Sequence, residues 1–213
     1  RRALTGRTAM AIHFEREEFE ARKAAVLARM KEAKLDALLL FSPESHYWLT
    51  GYDTFGFCFF QALILTRDGS YVLLTRLPDL RQARHTSIVE DIRIWVDRGG
   101  ADPMSPLKDV LMERDLLGGS IGIEMDTQGL TARNWSLLEA SLRSFGTLHD
   151  ASEIVPPLRA VKSPAEIAYV REAARLAAAA WEAGLARIGP GADEGEILAA
   201  MQGAVFAGGG DYP

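Results

Sequence analysis

Reactive side chains are thinly spread through this 213-residue sequence, and the densest stretch is GYDTFGFCFFQ at residues 51–61. It sets Phe55, Phe57, Phe59 and Phe60 around Gly51 and Gly56, with Asp53 as its one carboxylate. Aromatics spaced this way on a loop form an apolar wall over a small ligand, and the carboxylate supplies a polar handle. Asp53, Phe55 and Phe57 are therefore candidate substrate-binding residues, and both phenylalanines should face solvent or a neighbouring chain. The competing reading makes the stretch a lead-in to a strand over 59–66, which puts Phe59 and Phe60 in the core.

Other reactive groups point less clearly to chemistry. Cys58 has no thiolate-stabilising neighbour in sequence, so a half-buried apolar role is expected rather than a nucleophile. His46, Tyr47 and Trp48 are expected to pack beneath a turn at Gly51. His13, His85 and His149 are too scattered for metal spacing. Glu124 and Asp126 follow a strand signal, but a metal nuclease also needs a basic groove, and the sequence has none. Asp211 in GGGDYP reads as a turn residue. The glycine pairs at 99–100 and 118–119 lack both the phosphate-loop lysine and dinucleotide spacing.

These residues need a scaffold, and hydrophobic periodicity supplies one. FEREEFEARKAAVLARMKEAK (14–34) is an amphipathic helix, with Phe19, Val26, Leu27, Met30 and Ala33 on one stripe. DALLLFS (36–42) reads as a buried strand, and ESHYWLTG (44–51) as short helix stopped by Gly51. Residues 59–66 and 71–75 form a hairpin around Asp68-Gly69. Beyond it come a short helix (77–86), a strand (91–96), a helix (105–116), a strand (120–125), a helix (131–145) and a weak strand (147–152). This alternation predicts an α/β fold, a three-layer mixed sheet flanked by helices. The character changes at IVPPLRAVKSP (154–164), after which only helices are predicted. Ser163, Pro164 and Glu166 form a capping-box signature, and Asp193 with Glu196 opens a second helix.

Composition narrows the function classes. Hydrophobic residues make up 48% and charged residues 25%, as in ordinary globular proteins. A net charge of -5 without a basic cluster argues against nucleic acid. No apolar run reaches membrane-spanning length. A single cysteine and no visible secretory signal suit a cytoplasmic protein. Residues 1–9 read as an upstream extension, with Met10 as a natural start.

Two segments carry a resemblance. LRAVKSPAEIAYVREAARLAAAAWEAGL is similar to the opening of the catalytic domain in the creatinase/aminopeptidase P/prolidase family of pita-bread metallopeptidases. Arg159, Val161, Lys162, Ser163, Pro164, Glu166 and Ile167 carry that match. GPGADEGEI (189–197) resembles the family's next turn, with Asp193 where a Thr cap is more usual. Upstream, residues 14–52 resemble the family's N-terminal module, with its turn at Tyr47, Gly51 and Tyr52.

The resemblance implies a creatinase/prolidase-like N-terminal domain at 12–153 with a ribonuclease H-like architecture, a linker at 154–162, and the first helices of an incomplete α+β catalytic domain at 163–213. It also implies Xaa-Pro dipeptide or peptide hydrolysis by the parent enzyme. Creatinase- or ectoine-hydrolase-like C–N amide hydrolysis and a non-catalytic binding scaffold are the alternatives. Family enzymes hold two divalent metals (Mn, Co or Zn) with two Asp, one His and two Glu, all placed beyond Pro213. No catalytic or metal residue maps onto this chain, and it is expected to be inactive alone. A homodimer or higher homo-oligomer is implied, with the 51–61 loop reaching a partner subunit's active site. Creatinase-like members carry a basic residue in that loop, and here none lies between Tyr52 and Gln61.

Overall fold

The computed structural model describes residues 12–211. The extension at 1–9 and Met10 lie outside the described residues. The chain divides into two compact units between Ala160 and Val161, inside the stretch expected as a linker.

The first unit is a three-layer α/β/α sandwich. Helix α1 (Arg16–Glu32) leads to strand β1 (Ala37–Leu40) and helix α2 (Pro43–Thr50). The hairpin β2 (Ala62–Thr66) and β3 (Tyr71–Arg76) follows, then α3 (Leu80–Thr86), β4 (Ile92–Trp95), α4 (Met104–Glu113), β5 (Ser120–Ile123), α5 (Ala132–Leu142), β6 (Thr147–Asp150) and the short α6 (Pro156–Ala160). The six strands form one mixed sheet in the order β4-β3-β2-β1-β5-β6. β1 runs antiparallel to β2 and parallel to β5, so the apolar run read as a buried strand sits mid-sheet.

Both sheet faces are covered, and the side-chain period of two divides the core. Leu39, Ile64, Val72, Leu74 and Ile121 point to one side, against Leu107, Val110 and Leu111 of α4 and Leu138 and Leu142 of α5. Leu38, Leu40, Leu63, Leu65 and Leu73 point to the other, against Val26 and Met30 of α1, Leu49 of α2 and Ala83 of α3. Each fully buried leucine contributes about 2 kcal/mol of hydrophobic burial. The α1 stripe also buries a residue its periodicity did not mark. Arg22 donates from Nη1 to the Trp48 carbonyl at 2.8 Å, pairs with Glu18, and lies 4.1 Å from the Phe14 ring centroid. Ile154 and Val155 are buried in the same core, which ties the first residues of the proline-rich stretch to this unit.

The second unit is a helix pair, α7 (Pro164–Leu185) and α8 (Glu194–Ala207). Ser163 and Glu166 complete the capping box at the start of α7, and Asp193 caps α8. The helices meet at small residues. Ala180 and Gly184 are buried, and a Cβ on Gly184 would stand 2.9 Å from Met201 Cγ. The larger apolar residues of α7, Ile167, Val170, Trp181 and Leu185, stay exposed.

Candidate functional site

The aromatic loop begins where α2 ends. Gly51 adopts a left-handed conformation (φ 78°), and a Cβ there would meet the Thr86 carbonyl oxygen at 2.7 Å. Glycine is thus needed for both the turn and the close approach. Tyr52 then turns inward and is buried. Its hydroxyl donates to Gln61 Oε1 at 2.6 Å, and the Thr75 hydroxyl donates to the same oxygen at 2.8 Å. Burial raises the Tyr52 phenol above its ordinary pKa, so it remains a donor. Gln61 Nε2 donates to the Gly56 carbonyl at 2.7 Å. One buried side-chain network therefore holds the start, middle and end of the loop.

The middle is further constrained. Asp53 N–H donates to the Thr86 hydroxyl at 3.1 Å, and Gly56 N–H to the Thr54 hydroxyl at 2.9 Å. Residues Gly56–Cys58 form a single 3-10 turn. Gly56 is the buried residue of that turn, and a Cβ on it would lie 2.6 Å from Asp79 Oδ2. With the backbone pressed against Asp79, the neighbouring side chains are driven outward. Phe55 is 73% exposed and Phe57 53% exposed, as the sequence leads one to expect, and Asp53 is exposed beside them.

Two expectations about this loop are corrected. Phe59 is not core: it is 43% exposed, because β2 starts only at Ala62 and the residues before it still belong to the turn. Phe60 is buried and packs on Phe41, as expected of a strand lead-in. Cys58 is exposed rather than half-buried, because it lies on the outer side of the 3-10 turn.

A feature missed from sequence lies beneath Phe59. The Arg76 guanidinium carbon stands 3.3 Å from the Phe59 ring centroid. Its Nε donates to Asp79 Oδ2 at 3.0 Å and its Nη1 to Asp97 Oδ2 at 3.1 Å. The Arg76–Asp79 spacing of three was legible in the sequence. The Phe59 and Asp97 contacts were not, since they depend on β3 and β4 pairing in register at Arg76 and Trp95.

The carboxylate considered for nuclease chemistry has a structural role. Glu124 is buried and accepts from Phe41 N–H at 2.8 Å, Ser42 N–H at 2.7 Å and the Ser45 hydroxyl. It thereby satisfies donors around the start of α2. His46 is buried, its ring stacked on that of Tyr52 at a centroid distance of 6.1 Å, with Nε2–H donating to the Leu40 carbonyl at 2.8 Å. Burial holds its imidazole below the ordinary pKa, against the opposing pull of that carbonyl, Glu124 and Glu44. Among the described residues no group of three or more His, Cys, Asp or Glu is placed to hold a metal ion. The described residues do not fit a metal centre. The loop presents exposed aromatic surface and the exposed carboxylate of Asp53.

Residues 22–161 match the family model of the creatinase/prolidase N-terminal domain. The chain belongs to this family. An ectoine hydrolase from Halomonas elongata is 30% identical over 222 residues, covering 96% of this chain and 55% of the relative. Among solved structures, a prolidase from Thermococcus sibiricus superposes with a TM-score of 0.72 at 15% identity, over 88% of this chain and 49% of that one. An Xaa-Pro dipeptidase from Bacillus anthracis gives 0.67 at 20% identity, over 87% and 48%. The creatinase/prolidase N-terminal domain thus accounts for the first unit, and the chain spans about half the length of the curated relatives it matches. Among the described residues no helix is long and apolar enough to cross a membrane.

Proposed function

We propose that this chain is the substrate-facing, self-associating part of a cytoplasmic hydrolase that cleaves a C–N bond in a small peptide or amide. Xaa-Pro dipeptides are the leading substrate class. Residues 163–213 open the catalytic domain, the chain alone is inactive, and the two divalent metals are held by residues outside it. The supporting observation is the loop: Phe55 and Phe57 stand exposed on a turn that a buried network holds rigid. Exposed aromatics on a pinned loop fit a wall over a ligand, with Asp53 as its polar handle and a second copy of the chain as the receiving subunit. A second reading, hydrolysis of an ectoine-like amide, is favoured by 30% identity across almost the whole chain to an ectoine hydrolase.

The test is an assay of the full-length protein with Mn(II) or Co(II) on an Xaa-Pro dipeptide and on ectoine, with Phe57→Ala alongside. Dipeptide cleavage with a raised KM in the variant supports the leading reading, and ectoine cleavage supports the second. Cleavage of neither substrate by folded, metal-loaded protein leaves a non-catalytic binding scaffold.

A further inference from the structure

We infer that Arg76 is the polar anchor of the loop's binding surface, and that it donates from Nη2 to a neutral carbonyl oxygen of the ligand in preference to a carboxylate. This rests on the reading that the aromatic loop faces substrate. The sequence offers no cation between Tyr52 and Gln61. The fold brings one there from the end of β3. The Arg76 side chain is only 10% exposed, and two of its nitrogens are committed to Asp79 and Asp97. Nη2 has no acceptor among the described residues, and it is not sealed from solvent. An arginine side chain nine-tenths buried, with two nitrogens held by carboxylates and one amino group open, is a donor fixed in direction before any ligand arrives. The Phe59 ring lies over its face and walls one side of the donor, so an apolar ligand group meets the edge of that ring.

Charge decides the acceptor class. One guanidinium faces two carboxylates, which leaves the cluster at -1. A third carboxylate would bring it to -2 in a partly desolvated place, whereas an amide carbonyl adds no charge. A ligand seated here presents an apolar ring to Phe59 and an uncharged amide oxygen to Arg76.

The test is a nuclear magnetic resonance titration of the full-length protein with an isosteric pair, N-acetylprolinamide and N-acetylproline. Backbone signals of residues 53–61 and the Arg76 Nε–H signal are followed. The amide should move the Phe57, Phe59 and Arg76 signals and bind at least about threefold more tightly than the acid. Asp97→Asn removes one negative charge at a half-exposed position and should erase or invert that preference. Arg76→Lys should abolish the amide's effect. If the amide moves the loop signals but Arg76 is silent and Arg76→Lys is without effect, the loop reading stands and the Arg76 assignment is overturned. Tighter binding of the acid to the unaltered chain overturns the neutral-acceptor assignment. If neither probe moves the loop, both readings fail.

Discussion

The leucines of strand β1 and the aromatic residues Phe55, Phe57 and Phe59 of the loop are all strongly apolar and meet opposite fates. Ala37–Leu40 is wholly inaccessible, while Phe55, Phe57 and Phe59 stand in solvent. Hydrophobicity does not separate them. β1 has a partner on each edge and a helical layer on each face. The loop has polar groups satisfied by Gln61, Tyr52, Thr54, Thr75 and Thr86, which leaves its aromatic side chains outward. A segment whose backbone is pinned can hold apolar surface in water that a mobile segment would bury.

That contrast can be broken most sharply in the core. Leu39→Ala should cost about 3–4 kcal/mol, read as a lowered urea midpoint. Glu124→Leu should cost about 3 kcal/mol, because Phe41 N–H, Ser42 N–H and the Ser45 hydroxyl lose their shared acceptor. Gly56→Ala comes next, at about 1–3 kcal/mol, since the new methyl group meets the Asp79 carboxylate. A loss close to zero would show that the loop is less firmly held than its hydrogen bonds imply.

Acid separates buried from surface groups. The His46 imidazole has a folded pKa below its unfolded value of about 6.5. The unfolded chain therefore takes up the proton first, and stability falls as pH drops below about 6.5 toward the folded pKa. His46→Gln should remove that early loss. Asp91, whose carboxyl is held low by its bond from Arg93, and Asp68, held low by Thr66, act later. Their contribution is complete above the ordinary carboxylate range and is lost only as pH falls below about 4. Urea midpoints at pH 8, 5.5 and 3.5 test both windows, and a flat response between the first two removes His46 from the account.

The smallest effects are at the surface. Ser163→Ala should cost about 1 kcal/mol of helix stability in the second unit, through loss of the capping box. Phe57→Ala should change stability by less than about 0.5 kcal/mol, because the side chain is exposed. A larger loss would place Phe57 among structural residues rather than binding ones.

The ease of reading the sequence follows the range of the interactions. Strand and helix order, the Asp68-Gly69 hairpin, the Gly51 stop and the Ser163 and Asp193 caps all rest on local spacing, and all are present. The exposed positions of Phe55 and Phe57 were legible from alternation around glycines. The placement of Phe59 was not, because it depends on where β2 begins to pair. Glu124 looked like a free carboxylate until β5 came to lie beside β1, and Arg76 looked like an ordinary strand end until β4 brought Asp97 to it.

The position of β1 also bears on how the chain is made. Its antiparallel neighbour β2 follows within about thirty residues, but its other edge waits for β5, more than eighty positions later. During synthesis ALLL therefore emerges long before the strand that seals it, with an apolar edge open to any other growing chain. Productive folding then depends on how quickly residues 120–123 arrive. Slow translation between the hairpin and β5 should lower the soluble yield even when the finished domain is fully stable.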